Sequence, residues 1–227
     1  MDRESDMGYT TDFDGSFKLD RPLIDAQREY LMKFAETRRM KRDAAKAAKL
    51  SDPIRKGIGL PIGVEGEFFV GGSGPFGQGN DASILNYNTP PKTQPGLWCQ
   101  WVPNEEGTAI EWNGSEKFYE YTAWLVYLID NFLKPWGHVL NGRVSWQGED
   151  HGDVGLLVVK DNVVTEHKGY KAMAAADVAA GIALDMVRIS IEVPKRLLED
   201  LTDEGDEDAA FRVAHMVREK YEQGDDA

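Results

Sequence analysis

Cysteine is nearly missing from the 227 residues. A lone Cys99 leaves no pair for a disulfide scaffold and no set for a zinc cage, which fits a reducing, cytoplasmic setting. Long apolar runs are missing as well: no stretch of about 18 hydrophobic residues occurs, so a membrane span is excluded. The opening Met1-Asp2-Arg3-Glu4-Ser5-Asp6 is too polar for a secretory signal. Positive charge is in deficit. Against 39 Asp and Glu stand 26 Lys and Arg, and the resulting −13 argues against nucleic-acid binding by the whole surface. What remains, 41% hydrophobic and 29% charged residues, is the composition of a soluble globular chain long enough for one or two domains.

The charge is unevenly placed. From Arg28 to Lys56 ten basic residues face four acids, a local +6, whereas from Glu199 to Ala227 eleven acids face three basic residues, a local −8. Such asymmetry bears on partners more than the total does.

Hydrophobic spacing implies an α+β fold: an antiparallel sheet with two helices packed on one face, an Ala-rich connector helix and a small C-terminal strand-helix-helix module. Tyr9 to Leu19 reads as a strand or strand pair turning at Asp14-Gly15. A helix is expected from Asp25 to Lys49. Its apolar stripe (Ile24, Leu31, Phe34, Ala35) fades beyond Arg38, which leaves an exposed basic arm. Leu60 to Gly96 holds eight Gly and five Pro and reads as a long surface loop, with one short strand over Glu67 to Val70. Strands follow at Leu97 to Val102 and Ala109 to Trp112. A helix capped by Asn113 or Ser115 then carries Phe118, Tyr121, Leu125, Leu128, Ile129 and Phe132 to a stop at Pro135 and Gly137. Two hairpins are expected, turning at Asn141-Gly142 and at Asp161-Asn162. The domain plan is therefore a main domain over 1–167, a connector over 168–185 and a module over 186–227.

Four constellations invite a chemical reading. Gly72-Ser73-Gly74-Pro75-Phe76-Gly77 satisfies G-x-G-x-x-G, but Pro75 removes an amide and no helix follows, so a glycine loop is the better reading. Glu149, Asp150, His151 and Asp153 crowd carboxylates and an imidazole into one connection, the groups a divalent metal or acid-base work would use. Asp12-Phe13-Asp14-Gly15 lacks the spacing of a calcium loop. Trp98 and Trp101 cannot share one face of a strand, so at least one is free to line a groove. Cys99 between them reads as a buried structural thiol. In the basic arm, Arg38, Arg39, Lys41 and Arg42 are candidates for gripping phosphates or an acidic protein.

Two resemblances add to this. Arg188-Ile-Ser-Ile-Glu-Val-Pro followed by Lys195-Arg-Leu-Leu-Glu-Asp-Leu resembles the opening of a ribbon-helix-helix module. That implies strand pairing across a homodimer, with Arg188, Ser190 and Glu192 facing the DNA major groove. The acidic run Asp203 to Asp208 departs from that family and would repel DNA, so the resemblance supports dimerisation better than DNA contact. Residues 9–167 are similar to uncharacterised proteins of bacteria and their phages. The carriers are Gly8-Tyr-Thr-Thr-Asp-Phe-Asp-Gly, Leu97-Trp-Cys-Gln-Trp-Val-Pro and Leu140-Asn-Gly-Arg-Val-Ser-Trp-Gln-Gly-Glu. This implies a phage or bacterial accessory protein and brings no activity with it. The function expected first is therefore a non-catalytic binding protein working by protein-protein contact, a host protein being a candidate partner, without cofactor or membrane. A DNA-binding regulator and a metal-assisted hydrolase using the 149–153 loop are the alternatives.

Overall fold

Six antiparallel strands form the main sheet, in the order β4 (Trp101–Pro103), β5 (Ala109–Trp112), β1 (Thr11–Leu19), β6 (Leu140–Gly148), β7 (Val154–Lys160) and β8 (Val163–Lys168). The computed structural model describes residues 8–150 and 152–179, and the chain divides into two units after Gly169. The 186–227 module, with Arg188, Ser190 and Glu192, and the last part of the expected connector, 180–185, lie outside the described residues. Within the second unit the described helix is α5, Tyr170–Ala179.

The sheet is organised around its longest pair. β1 (Thr11–Leu19) runs antiparallel to β6 (Leu140–Gly148) in unbroken register from Thr11↔Gly148 to Leu19↔Leu140. Two expected turns are therefore mid-strand. Asp14-Gly15 does not fold β1 into a pair, and Asn141-Gly142 is not a hairpin tip. Gly142 instead lies between Phe17 and Val159, at φ +145°. A Cβ there would sit 2.8 Å from the Ser16 carbonyl oxygen, so glycine permits the close approach of β1 rather than a reversal. The second hairpin forms as expected. β7 (Val154–Lys160) and β8 (Val163–Lys168) are joined by Asp161 and Asn162, both at positive φ, which suits the twist of a two-residue turn. β4 (Trp101–Pro103) is shorter than the expected 97–102 strand, while β5 (Ala109–Trp112) has the expected bounds.

The helices are shorter than the sequence pattern implies. α1 spans Asp25–Glu36 and ends there, not at Lys49, because the next amides find tertiary partners. Arg38 N–H donates to the Phe76 carbonyl and Arg39 N–H to the Leu97 carbonyl, and neither continues the helical ladder. Residues 41–57 then form β2 (Lys41–Arg42), α2 (Ala44–Ala47) and α3 (Pro53–Gly57), the last two capped by Asp43 and Asp52. β2 pairs with β3 (Ile84–Asn86) as a separate small sheet. α4 starts only at Tyr121, runs to Leu128, and passes into a π-helical turn over Ile129–Leu133. Tyr30 and Phe34 of α1 pack against Phe132 and Trp124, while Phe13 and Trp146 of the sheet meet Tyr121, so helices and strands share one aromatic core.

The Gly/Pro-rich 60–96 segment is a surface loop only in part: Ser73 to Phe76 and Leu85 to Thr89 are exposed, but other parts turn inward. Phe69, Val70, Glu67, Ser83 and Gln94 are all buried, and the expected strand over Glu67 to Val70 is absent.

One end of the sheet is closed by a polar node. Asp20 accepts from Val139 N–H at 2.8 Å, and Asn162 bridges the His138 carbonyl and the Leu140 amide. The buried His138 ring lies 3.2 Å from Gln27 Oε1, an acceptor, which places its proton on Nε2. Burial, helped by the Arg21 charge and opposed by Asp20, holds the His138 pKa below the ordinary imidazole value. A depressed pKa means the unfolded state binds the proton more readily, so this contribution is complete above about pH 6.5 and declines as pH falls toward the folded value. Denaturant unfolding at pH 7.5 and 5.5 should show a loss of stability on acidification that is smaller in His138→Asn. An equal loss in both proteins would contradict the assignment.

Candidate binding groove

The four basic residues singled out in the sequence do not form an exposed helical face. Arg39 and Arg42 are each only 2% exposed. The Arg39 guanidinium donates to the carbonyls of Glu67 (2.7 Å) and Phe69 (3.0 Å), reaches Gln94 Oε1 at 3.4 Å and lies 4.1 Å over the Phe34 ring. Arg42 pairs with Asp81 and Ser83, both at 2.7 Å, over Phe69. Burial raises the Asp81 carboxyl, but its hydrogen bonds from Ser83 and Arg42 outweigh that and leave it below the usual range. The partly exposed Lys41 pairs with Glu65 at 2.8 Å, and the buried Arg55 pairs with Asp52 at 2.8 Å. Irregular backbone leaves carbonyls without ladder partners, and the Arg39 and Arg55 guanidinium groups satisfy those of Glu67, Phe69 and Leu60, whereas Arg42 and Lys41 bind side chains. Arg39, Lys41, Arg42 and Arg55 thus tie down the 60–96 segment, while Lys46, Lys49 and Lys56 stay exposed.

Like Lys41, Arg38 is only partly buried. Its guanidinium lies 4.7 Å from the Tyr87 ring centroid and 5.7 Å from that of Trp98, and donates to the Tyr87 carbonyl and Asn88 Oδ1. Beyond Trp98 stands Phe76, 61% exposed, with ring centroids 6.0 Å apart and planes at 89°. Phe76 occupies the left-handed region at φ +54°, flanked by Gly74 and Gly77 at positive φ. Bulky residues rarely hold that conformation, and it persists where surrounding structure enforces it. Here the Arg38 amide grips the Phe76 carbonyl, and Gly77 is packed so tightly on Thr37 that a Cβ would meet it at 2.8 Å. Gly63-Val64-Glu65-Gly66 makes the same turn with Glu65 at φ +52°, but that side chain is used inside the fold by Lys41 and Lys92 N–H. The Phe76 ring has no comparable internal use. It is presented outward.

Phe76 and Trp98 are walls of a groove of about 500 Å³, with Met32 and Val102 as its apolar floor and Glu36, Gln78, Asn113 and Glu116 among its polar lining. Cys99 also borders it. Burial pushes the thiol up to about 12, which keeps it protonated and unreactive near neutral pH. Trp98 thus lines a groove, whereas Trp101 lies in the core, its indole donating to the Tyr121 carbonyl at 2.8 Å. The sequence reading missed Phe76, Met32, Glu36 and Glu116. An exposed aromatic set among glycines was the one available signal.

The 149–153 connection has a different use. Glu149 Oε1 accepts from Thr10 N–H at 2.7 Å, Asp153 accepts from the Tyr9 hydroxyl, and that hydroxyl also takes the Asp150 amide. These contacts fasten the start of β1 to the β6–β7 turn. His151 lies outside the described residues, and among the described residues no group of three or more His, Cys, Asp or Glu is arranged to hold a metal. Nor is any helix there long and apolar enough to cross a membrane. No protein-family model, curated protein or solved structure matches the chain.

Removing the buried guanidinium while keeping its bulk isolates the scaffold role. Arg39→Met should cost about 3 kcal/mol by leaving carbonyls unpaired in the interior, whereas Arg38→Met should change stability by less than about 1 kcal/mol. Urea unfolding of both variants measures this, and equal effects would refute the buried-cation account.

Proposed function

We propose that this chain is a non-catalytic binding protein that takes a segment of a partner protein into the Phe76–Trp98 groove. The observation that carries the reading is the strained, outward presentation of Phe76 at a right angle to Trp98. Exposed aromatic anchors beside a desolvated apolar floor are the elements from which interface hot spots are made. The protonated Cys99 thiol supports a role in binding rather than nucleophilic chemistry. Polar groups of the lining, such as the exposed Glu116 carboxylate and Glu36 in its solvent-exposed pair with Lys33, would meet the backbone and polar side chains of an extended segment. The resemblance of 9–167 to uncharacterised phage and bacterial proteins supports an accessory role, with contact rather than turnover as its output.

The test is a peptide-display selection against the intact chain, followed by affinity measurement on the wild type and on Phe76→Ala. Phe76 is mostly exposed, so its truncation should leave the melting temperature within a few degrees. Selected peptides should bind at least tenfold more weakly to the variant, about 1.4 kcal/mol or more. Peptides indifferent to Phe76→Ala would show that the groove is not the binding site.

A further inference from the structure

The groove lining offers aromatic faces and carboxylates, and the cation beside it is Arg38, whose guanidinium lies 5.7 Å from the Trp98 ring centroid. That lining includes two acids, Glu36 and Glu116, and neither Lys nor Arg. Two of the cations nearest in sequence are already engaged. Lys33 pairs with Glu36 at 3.5 Å on the exposed helix surface, and Arg38 is held by the Tyr87 carbonyl and Asn88 Oδ1. The Lys117 side chain lies close against Gly8, where a Cβ would stand 2.7 Å from its Cδ. Glu116 contributes its backbone carbonyl to Gln100 and has an exposed side chain. The chemistry is therefore that of a site for a long apolar stem ending in a cation. Met32 and Val102 can cover methylenes, indole and phenyl faces attract positive charge, and the carboxylates at the groove complete the match.

We propose that the segment taken up by this groove presents an arginine or lysine side chain, with its charged head between the Phe76 and Trp98 rings and the Glu36 and Glu116 carboxylates. This rests on the groove being the binding site and goes beyond it by fixing the charge of the occupant. Neutral and acidic side chains are disfavoured: a neutral one forgoes the charge-quadrupole attraction, and an acidic one faces two carboxylates. Lysine and arginine share this chemistry, and arginine gains further from stacking its flat guanidinium.

The experiment uses the full chain and three small probes differing in charge: N-acetylarginine amide, the neutral isostere N-acetylcitrulline amide, and N-acetylglutamate amide. The indole N–H resonance of Trp98, assigned with Trp98→Phe, reports groove occupancy. Arginine amide should shift that resonance saturably with a millimolar Kd, citrulline amide should bind at least fivefold more weakly, and glutamate amide should not bind. Glu116→Gln and Glu36→Gln, both at exposed carboxylates, should each weaken the arginine probe about two- to fivefold without lowering the melting temperature. Equal binding of arginine and citrulline amides, or no loss in either variant, would overturn the cation assignment while leaving the groove as a binding site. Preferential binding of glutamate amide would overturn it too. Failure of every probe to shift Trp98, together with display peptides insensitive to Phe76→Ala, would remove the groove itself.

Discussion

The Arg39 guanidinium, buried on the Phe34 ring and donating to two carbonyls of the Gly/Pro-rich segment, is the interaction on which the rest of the structure depends. A chain with so many breakers between 60 and 96 cannot satisfy its own backbone by helix or sheet. It can be folded inward only if polar partners come from elsewhere. Arg39 and Arg55 supply them to the carbonyls of Glu67, Phe69 and Leu60, while Arg42 anchors the Asp81 and Ser83 side chains, each cation next to an aromatic ring or an acid that lowers the cost of burial. Desolvation lowers the Arg39 pKa from its ordinary value, yet such a group stays charged at any physiological pH. The cost is a cation held out of water. The return is an irregular segment whose Glu67 and Phe69 carbonyls have partners in the interior.

The same stretch of chain builds the groove. Consecutive amides of Arg38 and Arg39 hold the Phe76 and Leu97 carbonyls, one on each wall, and in doing so end α1 at Glu36. Sequence, local structure and site are linked here at a single point. The helix stops because its next two donors are worth more across the core than along the axis, and that exchange aligns Phe76 with Trp98. The left-handed conformation of Phe76 is then a strain of about 1–3 kcal/mol that the grip of Arg38 sustains.

Periodicity made the sheet partly legible in advance. Alternation located β5 and the β7–β8 hairpin, because Asp161-Asn162 ends one apolar run and begins another. Asn141-Gly142 misled because its readiness for positive φ was used for close strand packing, a demand that only the neighbouring Ser16 and Phe17 backbone reveals. The basic arm misled for a related reason. A run of arginines without an apolar stripe looks solvated in one dimension, and only the distant carbonyls of Glu67 and Phe69 show where its donors go. Trp98 could be singled out from strand alternation with Trp101. Glu36, Phe76 and Glu116 come from three separate segments and could not be joined without the fold.

The most direct measurement is native-state hydrogen exchange of the Arg38 and Arg39 amides. The structure predicts that both are strongly protected and open together, with a free energy close to that of global unfolding. Rapid exchange of either, at the rate of an exposed loop, would contradict the claim that these amides hold the two walls of the groove.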